Sequence, residues 1–162
     1  MEFEELLEHL AAVCEIDRLE PDELNMVQLG ADGSVLTIVG DPLTRSVVLY
    51  SEIGDLPIEG REAFYEQALR ANWLLQGGGG AVLAINPETG ALVLNRRHPM
   101  DLLDGESFVG LVRLFLEVLY HWRTLADDWR GALEDGTVNP SGGPRTLDDS
   151  FSPSLGDHAI MI

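Results

Sequence analysis

The chain has 162 residues, of which 28 are acidic and 10 are basic, giving a formal net charge of −18 at pH 7. A protein this acidic repels nucleic acid and anionic membrane surfaces, because binding to either depends on Lys and Arg that neutralise phosphate. The length and the 45% hydrophobic content indicate one domain with a substantial core. Cys14 is the only cysteine, which excludes an intramolecular disulfide and a cysteine-based zinc site.

The N-terminal sequence, MEFEELLEHLAAV, is acidic and amphipathic, whereas a signal peptide begins with Lys or Arg. The most apolar stretch, FVGLVRLFLEVLYHW, is shorter than a membrane span and is interrupted by Arg113 and Glu117. We therefore expect a cytoplasmic protein without membrane insertion.

The first half of the chain predicts one helix and three strands. The helix is indicated by apolar residues at helical spacing, namely Phe3, Leu6, Leu7, Leu10, Val13 and Cys14. Strands are predicted at 24–29, 34–39 and 46–53, and the turn sequences between them favour an antiparallel meander.

Residues 59–75 predict a second helix that carries two apolar rows. One row consists of Phe64, Ala68, Ala71 and Leu75, and the other consists of Tyr65, Leu69 and Trp73. A surface helix usually carries a single apolar stripe. The two rows indicate that one side packs on the protein's own sheet and the other on something else.

Four glycines at 77–80 follow this helix. A phosphate-binding loop lies between a strand and a following helix and continues into Lys and Ser or Thr, but here the order of elements is reversed and those residues are missing. The glycines are better explained as a helix end followed by a joint into the next strand.

The remaining sequence predicts two strands, a last helix and a tail. Residues 81–86 and 91–97 form a hairpin around NPETG, and the last helix runs from about Asp104 to about Leu133. The tail at 134–162 is rich in Gly, Pro, Ser and Asp and is predicted to be flexible. Its apolar end, AIMI, is either an internal competitor for a partner's groove or part of a solvated tail with no role.

The order helix, three strands, helix, two strands, helix predicts an α+β domain over 1–133, with helices flanking an antiparallel sheet. No catalytic, cofactor-binding or metal-binding constellation is evident. Ser107 only partly matches a nucleophile motif and is better explained by helix capping, and the four histidines lack paired ligand spacing.

The stretch NWLLQGGGGAVLAINPETGALVLNRRHPMD, with the Trp-containing helix before it, resembles the class I type III secretion chaperones, the Tir-chaperone-like family. The residues that carry the resemblance are Asn72, Leu74, Leu75, Gly78, Gly79, Leu83, Gly90 and Leu94. In that family a helix passes through a Gly-rich joint into a hairpin, and a long final helix follows. The likeness in element order covers about 1–133, whereas the tail has no counterpart in the family.

The resemblance implies a bacterial, cytoplasmic homodimer without ATPase activity that holds the N-terminal segment of a secreted effector in extended form. The second apolar row, Tyr65, Leu69 and Trp73, is then the expected dimer interface. The expected partner groove lies between the first helix and the first strands, where an extended peptide can add to the sheet edge. Its expected contacts are Phe3, Leu6, Leu10, Met26 and Leu36, although apolar periodicity alone does not distinguish partner contacts from core.

Two other functions stay open. In the first, the same architecture binds a transcriptional activator or anti-activator of the secretion system. In the second, the chain is a small-molecule-binding domain or enzyme with an acidic pocket, for which a closed cavity with convergent polar groups would be evidence.

Overall fold

A computed structural model describes residues 1–54, 56, 59–75 and 77–136. In chain order the elements are α1 (Phe3–Val13), β1 (Met26–Ala31), β2 (Ser34–Asp41), β3 (Ser46–Gly54), α2 (Arg61–Ala71), β4 (Val82–Ile85), β5 (Leu92–Pro99) and α3 (Gly105–Glu134), with 3-10 turns at Trp73–Leu75 and Met100–Leu102. This order confirms the predicted α+β fold. The predicted tail at 134–162 begins with the last residue of α3, and its residues beyond 136 lie outside the described ranges.

The five strands form one antiparallel sheet in the order β1-β2-β3-β5-β4, so β1 and β4 are the edge strands. The β1–β2 hairpin closes at the pair Ala31 and Ser34 around a two-residue turn. Both turn residues, Asp32 and Gly33, have positive φ, as the tight hairpin turn that matches strand twist requires. This turn fixes the pairing register and therefore decides which side chains face the core.

The described residues fall into two compact units, and the first consists of 1–51 and 95–116. Its core combines one face of α1 with alternate residues of the strands and the first half of α3. The buried side chains include Phe3, Leu6, Leu7, Leu10, Val27, Leu29, Leu36, Ile38, Val47, Leu49, Phe108 and Phe115. Phe3 lies directly over β2, because a Cβ added at Gly40 would come within 2.6 Å of its ring.

The second unit consists of 52–94 and 117–136. Its core forms where α2 packs against the second half of α3. The rings of Phe64 and Trp122 meet edge to face with their centroids 6.1 Å apart, and the Trp122 Nε1–H donates to the Gly77 carbonyl at 3.1 Å. Ala68, Ala71, Leu83 and Trp129 are also buried.

The glycine joint is tightly packed. A Cβ at Gly77 would lie 2.6 Å from the Ala71 Cβ, and one at Gly78 would lie 2.1 Å from the Ala81 carbonyl oxygen. Gly77 and Gly78 therefore serve close packing between the end of α2 and β4, whereas Gly79 and Gly80 adopt positive φ values that favour glycine.

The start of α3 confirms the predicted cap at Asp104. The Ser107 N–H donates to Asp104 Oδ1 at 2.8 Å, and the Asp104 N–H donates to Ser107 Oγ at 2.9 Å. These reciprocal bonds satisfy two backbone donors that the first turn of a helix leaves free. Ser107 is thus used in capping.

Candidate partner-binding site

An exposed apolar row runs along α2 and into the turn that follows it. Leu69, Trp73 and Leu74 expose 70%, 72% and 69% of their surfaces, and Tyr65 in the same row is half-buried. The other row of the helix, Phe64, Ala68 and Ala71, is buried within the second unit. The helix therefore carries an apolar face that its own unit leaves open to water.

The turn after α2 holds part of this face in an unfavourable backbone conformation. Leu74 and Leu75 both adopt left-handed φ values, 54° and 58°, although neither is glycine. Such residues cost about 1–3 kcal/mol each and persist where the surrounding structure determines them. Here Leu75 donates to the Asn72 carbonyl, and its own carbonyl accepts from the Gly80 N–H.

Four of the five predicted partner contacts lie in the core of the first unit. Leu6 and Leu10 are fully buried, Leu36 exposes 1% of its surface and Phe3 exposes 4%. These side chains offer almost no surface to a partner in this arrangement. Their role in partner binding stays a prediction.

Met26 lies on the opposite face of the sheet from Leu36. The register pairs Met26 with Val39 and Leu36 with Leu29, and paired residues lie on the same face of the sheet. Met26 and Leu29 are an odd number of residues apart on β1, so they point to opposite faces. The sequence-based prediction had placed the two residues in one groove. A correct assignment needs the register, which apolar spacing does not supply.

Met26 continues into a half-buried apolar row across the outer face of the sheet. Val39 pairs with Met26 on one side and with Val48 on the other, and all three are half-buried. Sequence reasoning missed Val39 and Val48. The sequence did indicate them, because the residues on both faces of β2 and β3 are largely apolar. That pattern is typical of strands covered on both faces.

A polar cluster ends this face at the β2–β3 turn. The Thr44 hydroxyl donates to Asp41 Oδ2 at 2.6 Å, and the Arg97 guanidinium reaches the same oxygen at 3.1 Å. The pKa of Asp41 is about 2, below its usual 3.8. The largest cause is the hydrogen bond from the Thr44 hydroxyl, followed by the bond from the Thr44 backbone N–H, and Arg97 adds a smaller effect. Arg97 also donates to Ser46 Oγ at 3.0 Å, which ties β5 to the turn.

Within the described ranges, no group of three or more His, Cys, Asp or Glu side chains is arranged to hold a metal ion. The helices in those ranges also lack a stretch long and apolar enough to cross a membrane. The features that stand out in the two units are apolar side chains on α2 and on the outer sheet face that remain exposed or half-buried.

The chain belongs to the Tir chaperone protein (CesT) family, whose sequence profile matches residues 5–123. This match confirms the resemblance drawn from the glycine joint and hairpin. A comparison with curated proteins found no match.

Solved structures with the same fold include chains of three protein complexes. A chain of the HopA1-SchA chaperone-effector complex is 19% identical, with a TM-score of 0.62, over 74% of this chain and 91% of its own. A chain of the ExsC-ExsE complex is 17% identical, with a TM-score of 0.65, over 78% and 97%. A chain from the complex of the Yersinia pestis type III secretion chaperone SycH with a stable fragment of YscM2 is 17% identical, with a TM-score of 0.61, over 75% and 99%. At these identities the likeness establishes the fold.

Proposed function

We propose that this chain is an ATP-independent type III secretion chaperone that acts as a homodimer and holds the N-terminal segment of a secreted effector in extended form. The observation that carries the proposal is the open apolar row of α2 in a member of the Tir chaperone family. The similar structures support it, since one of them is a chaperone-effector complex.

The proposed dimer interface is the row of Tyr65, Leu69 and Trp73. A contiguous apolar face of this kind is typical of surfaces that become buried on association. A second copy of the chain is the occupant we propose, because a twofold interface lets the same row cover itself.

The proposed effector surface lies in the first unit, where Met26 and its neighbours Val39 and Val48 present half-buried apolar side chains. Phe3, Leu6 and Leu10 lie on the buried face of α1, and Leu36 is buried on β2. These side chains would meet an effector directly only if α1 moved away from the sheet. In the closed arrangement they support the sheet to which the effector binds.

No nucleotide is needed for this activity. An extended segment gains backbone hydrogen bonds and apolar burial on binding, and these offset the cost of ordering it. The same surfaces are poorly suited to small-molecule catalysis, which calls for a concave site with convergent polar groups.

The function is tested by deleting the gene in the native host and measuring secretion of each exported protein, with the plasmid-borne wild-type chain as the control. We expect one or a few effectors to accumulate inside the cell or be degraded, and the wild-type chain to restore their export. Unchanged export together with altered transcription of secretion genes would support the regulatory alternative instead.

A further inference from the structure

The turn that follows α2 places two leucines in a backbone conformation that leucine rarely adopts. Leu74 has φ 54° and ψ 19°, and Leu75 has φ 58°. A Cβ atom crowds the carbonyl oxygen in this left-handed region, so glycine is the usual residue there. Four glycines follow at 77–80, yet the two positions before them that need the same freedom carry leucine. The leucine side chains therefore have a role that the backbone path does not explain.

The path of this turn is determined by bonds that do not involve the leucine side chains. The Gly77 N–H donates to the Ala71 carbonyl at 3.1 Å, so the chain reverses directly after the helix. The Asn72 side chain then ties the end of α2 to β4. It donates to the Leu83 carbonyl at 3.0 Å and accepts from the Leu83 N–H at 2.9 Å. Glycine at 74 and 75 would permit the same path with less strain.

The turn also exposes apolar surface that a longer helix would bury. Leu75 lies four residues after Ala71, so a helix continued to 75 would add Leu75 to the buried row of α2. In the left-handed turn Leu75 is 44% exposed, and Leu74 beside it is 69% exposed. The chain thus combines an unfavourable backbone conformation with the loss of apolar burial. Contact with an apolar surface outside the chain would offset both costs.

Leu74 continues the exposed row of α2 beyond the end of the helix. Leu69 and Trp73 are 70% and 72% exposed, which matches the exposure of Leu74. The apolar surface therefore extends from the last turns of α2 into the left-handed turn. Strained residues cluster at sites where a structure binds something, and an exposed apolar face is typical of a surface that becomes buried on association.

Charge indicates that a second copy of this chain covers the turn. The chain has a net charge of −18, but positions 64–86 contain one acidic residue, Glu66, and one basic residue, Arg70. These two pair at 2.6 Å on the exposed side of α2. A segment without net charge can meet its own copy across a twofold axis without the repulsion that the rest of this acidic chain would cause.

We propose that Leu74 is an anchor of the contact between two copies of this chain, and that Asn72 is the positioning residue that holds Leu74 in place. Burial of Leu74 against the second copy would offset the strain of the left-handed turn. The inference rests on the proposed homodimer. It adds to that dimer a contact residue outside the helix and a physical reason for leucine at a position that favours glycine.

The first test is Leu74→Gly, which removes the side chain and relieves the backbone strain. We expect the dissociation constant of the dimer to rise about tenfold, because the interface loses an apolar anchor from each copy. The urea midpoint of the dissociated chain should equal or exceed that of the wild type. Sedimentation velocity over a dilution series measures the dissociation constant, and urea unfolding below that concentration measures the midpoint.

Leu102→Gly is the matched control, since it removes a leucine that is 72% exposed in the other unit. It should leave the dissociation constant unchanged. Leu74→Asn is a second variant, because asparagine tolerates the left-handed conformation but is polar, and it should weaken the dimer as Leu74→Gly does. An unchanged dissociation constant in both Leu74 variants would overturn the proposal. A dissociated Leu74→Gly chain less stable than the wild type would also overturn it, because Leu74 would then serve the fold.

The positioning role is tested with Asn72→Asp, which keeps the acceptor for the Leu83 N–H and loses the donor to the Leu83 carbonyl. We expect the dissociation constant to rise about threefold to tenfold when Leu74 is present, and to change little when position 74 is already glycine. A loss of general stability would act in both backgrounds. Equal effects in the two backgrounds would therefore contradict the positioning role.

The same dilution series separates this inference from the proposed function. A wild-type dimer whose dissociation constant is insensitive to Leu74→Gly would overturn the anchor alone. A wild-type chain that stays monomeric at micromolar concentration would contradict the proposed homodimer, and the anchor with it.

Discussion

Phe3 and Met26 were predicted from the same apolar pattern, and the structure gives them different environments. Phe3 is 4% exposed on the buried face of α1, whereas Met26 is half-buried on the outer sheet face. We expect Phe3→Ala to lower the free energy of unfolding by about 3–5 kcal/mol, the usual cost of emptying a buried aromatic site. Met26→Ala should cost about 1–2 kcal/mol, because less of its surface is buried.

Urea unfolding at fixed protein concentration measures both changes, and Leu24→Ala is the control, since Leu24 is 75% exposed beside the same strand. Partner binding should weaken in Met26→Ala while the protein stays folded. A Phe3→Ala variant as stable as the wild type would show that Phe3 does not belong to the core.

Asp41 gives stability its pH dependence at the β2–β3 turn. Its pKa is about 2 in the folded chain, against the usual 3.8, so the folded state favours the carboxylate. The carboxylate contributes its full stabilisation of the folded state above pH 3.8, and this contribution is lost as the pH falls through 2. We expect Asp41→Asn to lower the free energy of unfolding at pH 7 and the difference from wild type to disappear near pH 2.

The measurement is urea unfolding across that pH range. Asp17→Asn is the control, because it removes the same charge from an exposed side chain. A difference between Asp41→Asn and wild type that persists unchanged at pH 2 would contradict the assigned bonds.

At the scale of the elements, alanine in place of Gly78 and alanine in place of Gly110 should change stability in opposite directions. A Cβ at Gly78 would meet the Ala81 carbonyl oxygen, whereas one at Gly110 within α3 meets nothing within 4 Å. We expect Gly78→Ala to lower stability by about 1–3 kcal/mol through this clash. Gly110→Ala should raise stability by about 0.5–1 kcal/mol, because alanine favours the helix.

Urea midpoints at matched protein concentration compare the two variants directly. A urea midpoint of Gly78→Ala equal to or above that of the wild type would show that the backbone of the joint adjusts to the added Cβ at little cost. In that case close packing would not explain the glycine at this position.

The element order was predictable because strong periodicity and turn residues mark each helix and strand, and the cap at Asp104 was readable from its spacing to Ser107. The boundaries of β1 and α2 were less accessible. Leu24 was assigned to the first strand, but Asp22 Oδ1 accepts from both the Leu24 and Met26 N–H groups, so the strand begins at Met26. The second helix was predicted to reach 75, yet it ends at Ala71, because apolar spacing cannot reveal the left-handed turn that follows.

The apolar row of α2, Tyr65, Leu69 and Trp73, is the part of the proposed dimer interface that substitutions can test. Leu69→Glu with Trp73→Glu should convert the proposed dimer into monomers, because each copy would bring two like charges to the twofold interface. The control is Leu43→Glu, which places the same charge at a leucine that is 95% exposed in the other unit. Light scattering at micromolar protein concentration measures the mass, and a wild-type chain that is already monomeric there would rule out this interface.

The whole molecule combines a net charge of −18 with an apolar row on α2 that is exposed to water. The charge disfavours acidic partners, and the exposed apolar row is typical of a surface that becomes buried on association. Both properties fit the function proposed above, in which the chain holds a non-globular partner. The family match over residues 5–123 supports the chaperone part of that proposal.

The chaperone assignment is tested most directly by native mass spectrometry of the full chain, purified from its native host with its bound protein and treated briefly with protease. We expect two copies of the chain with one protected fragment from the N-terminal region of a secreted protein. A single copy of the chain, or a protected fragment that is a folded domain of a protein that is not exported, would contradict the account.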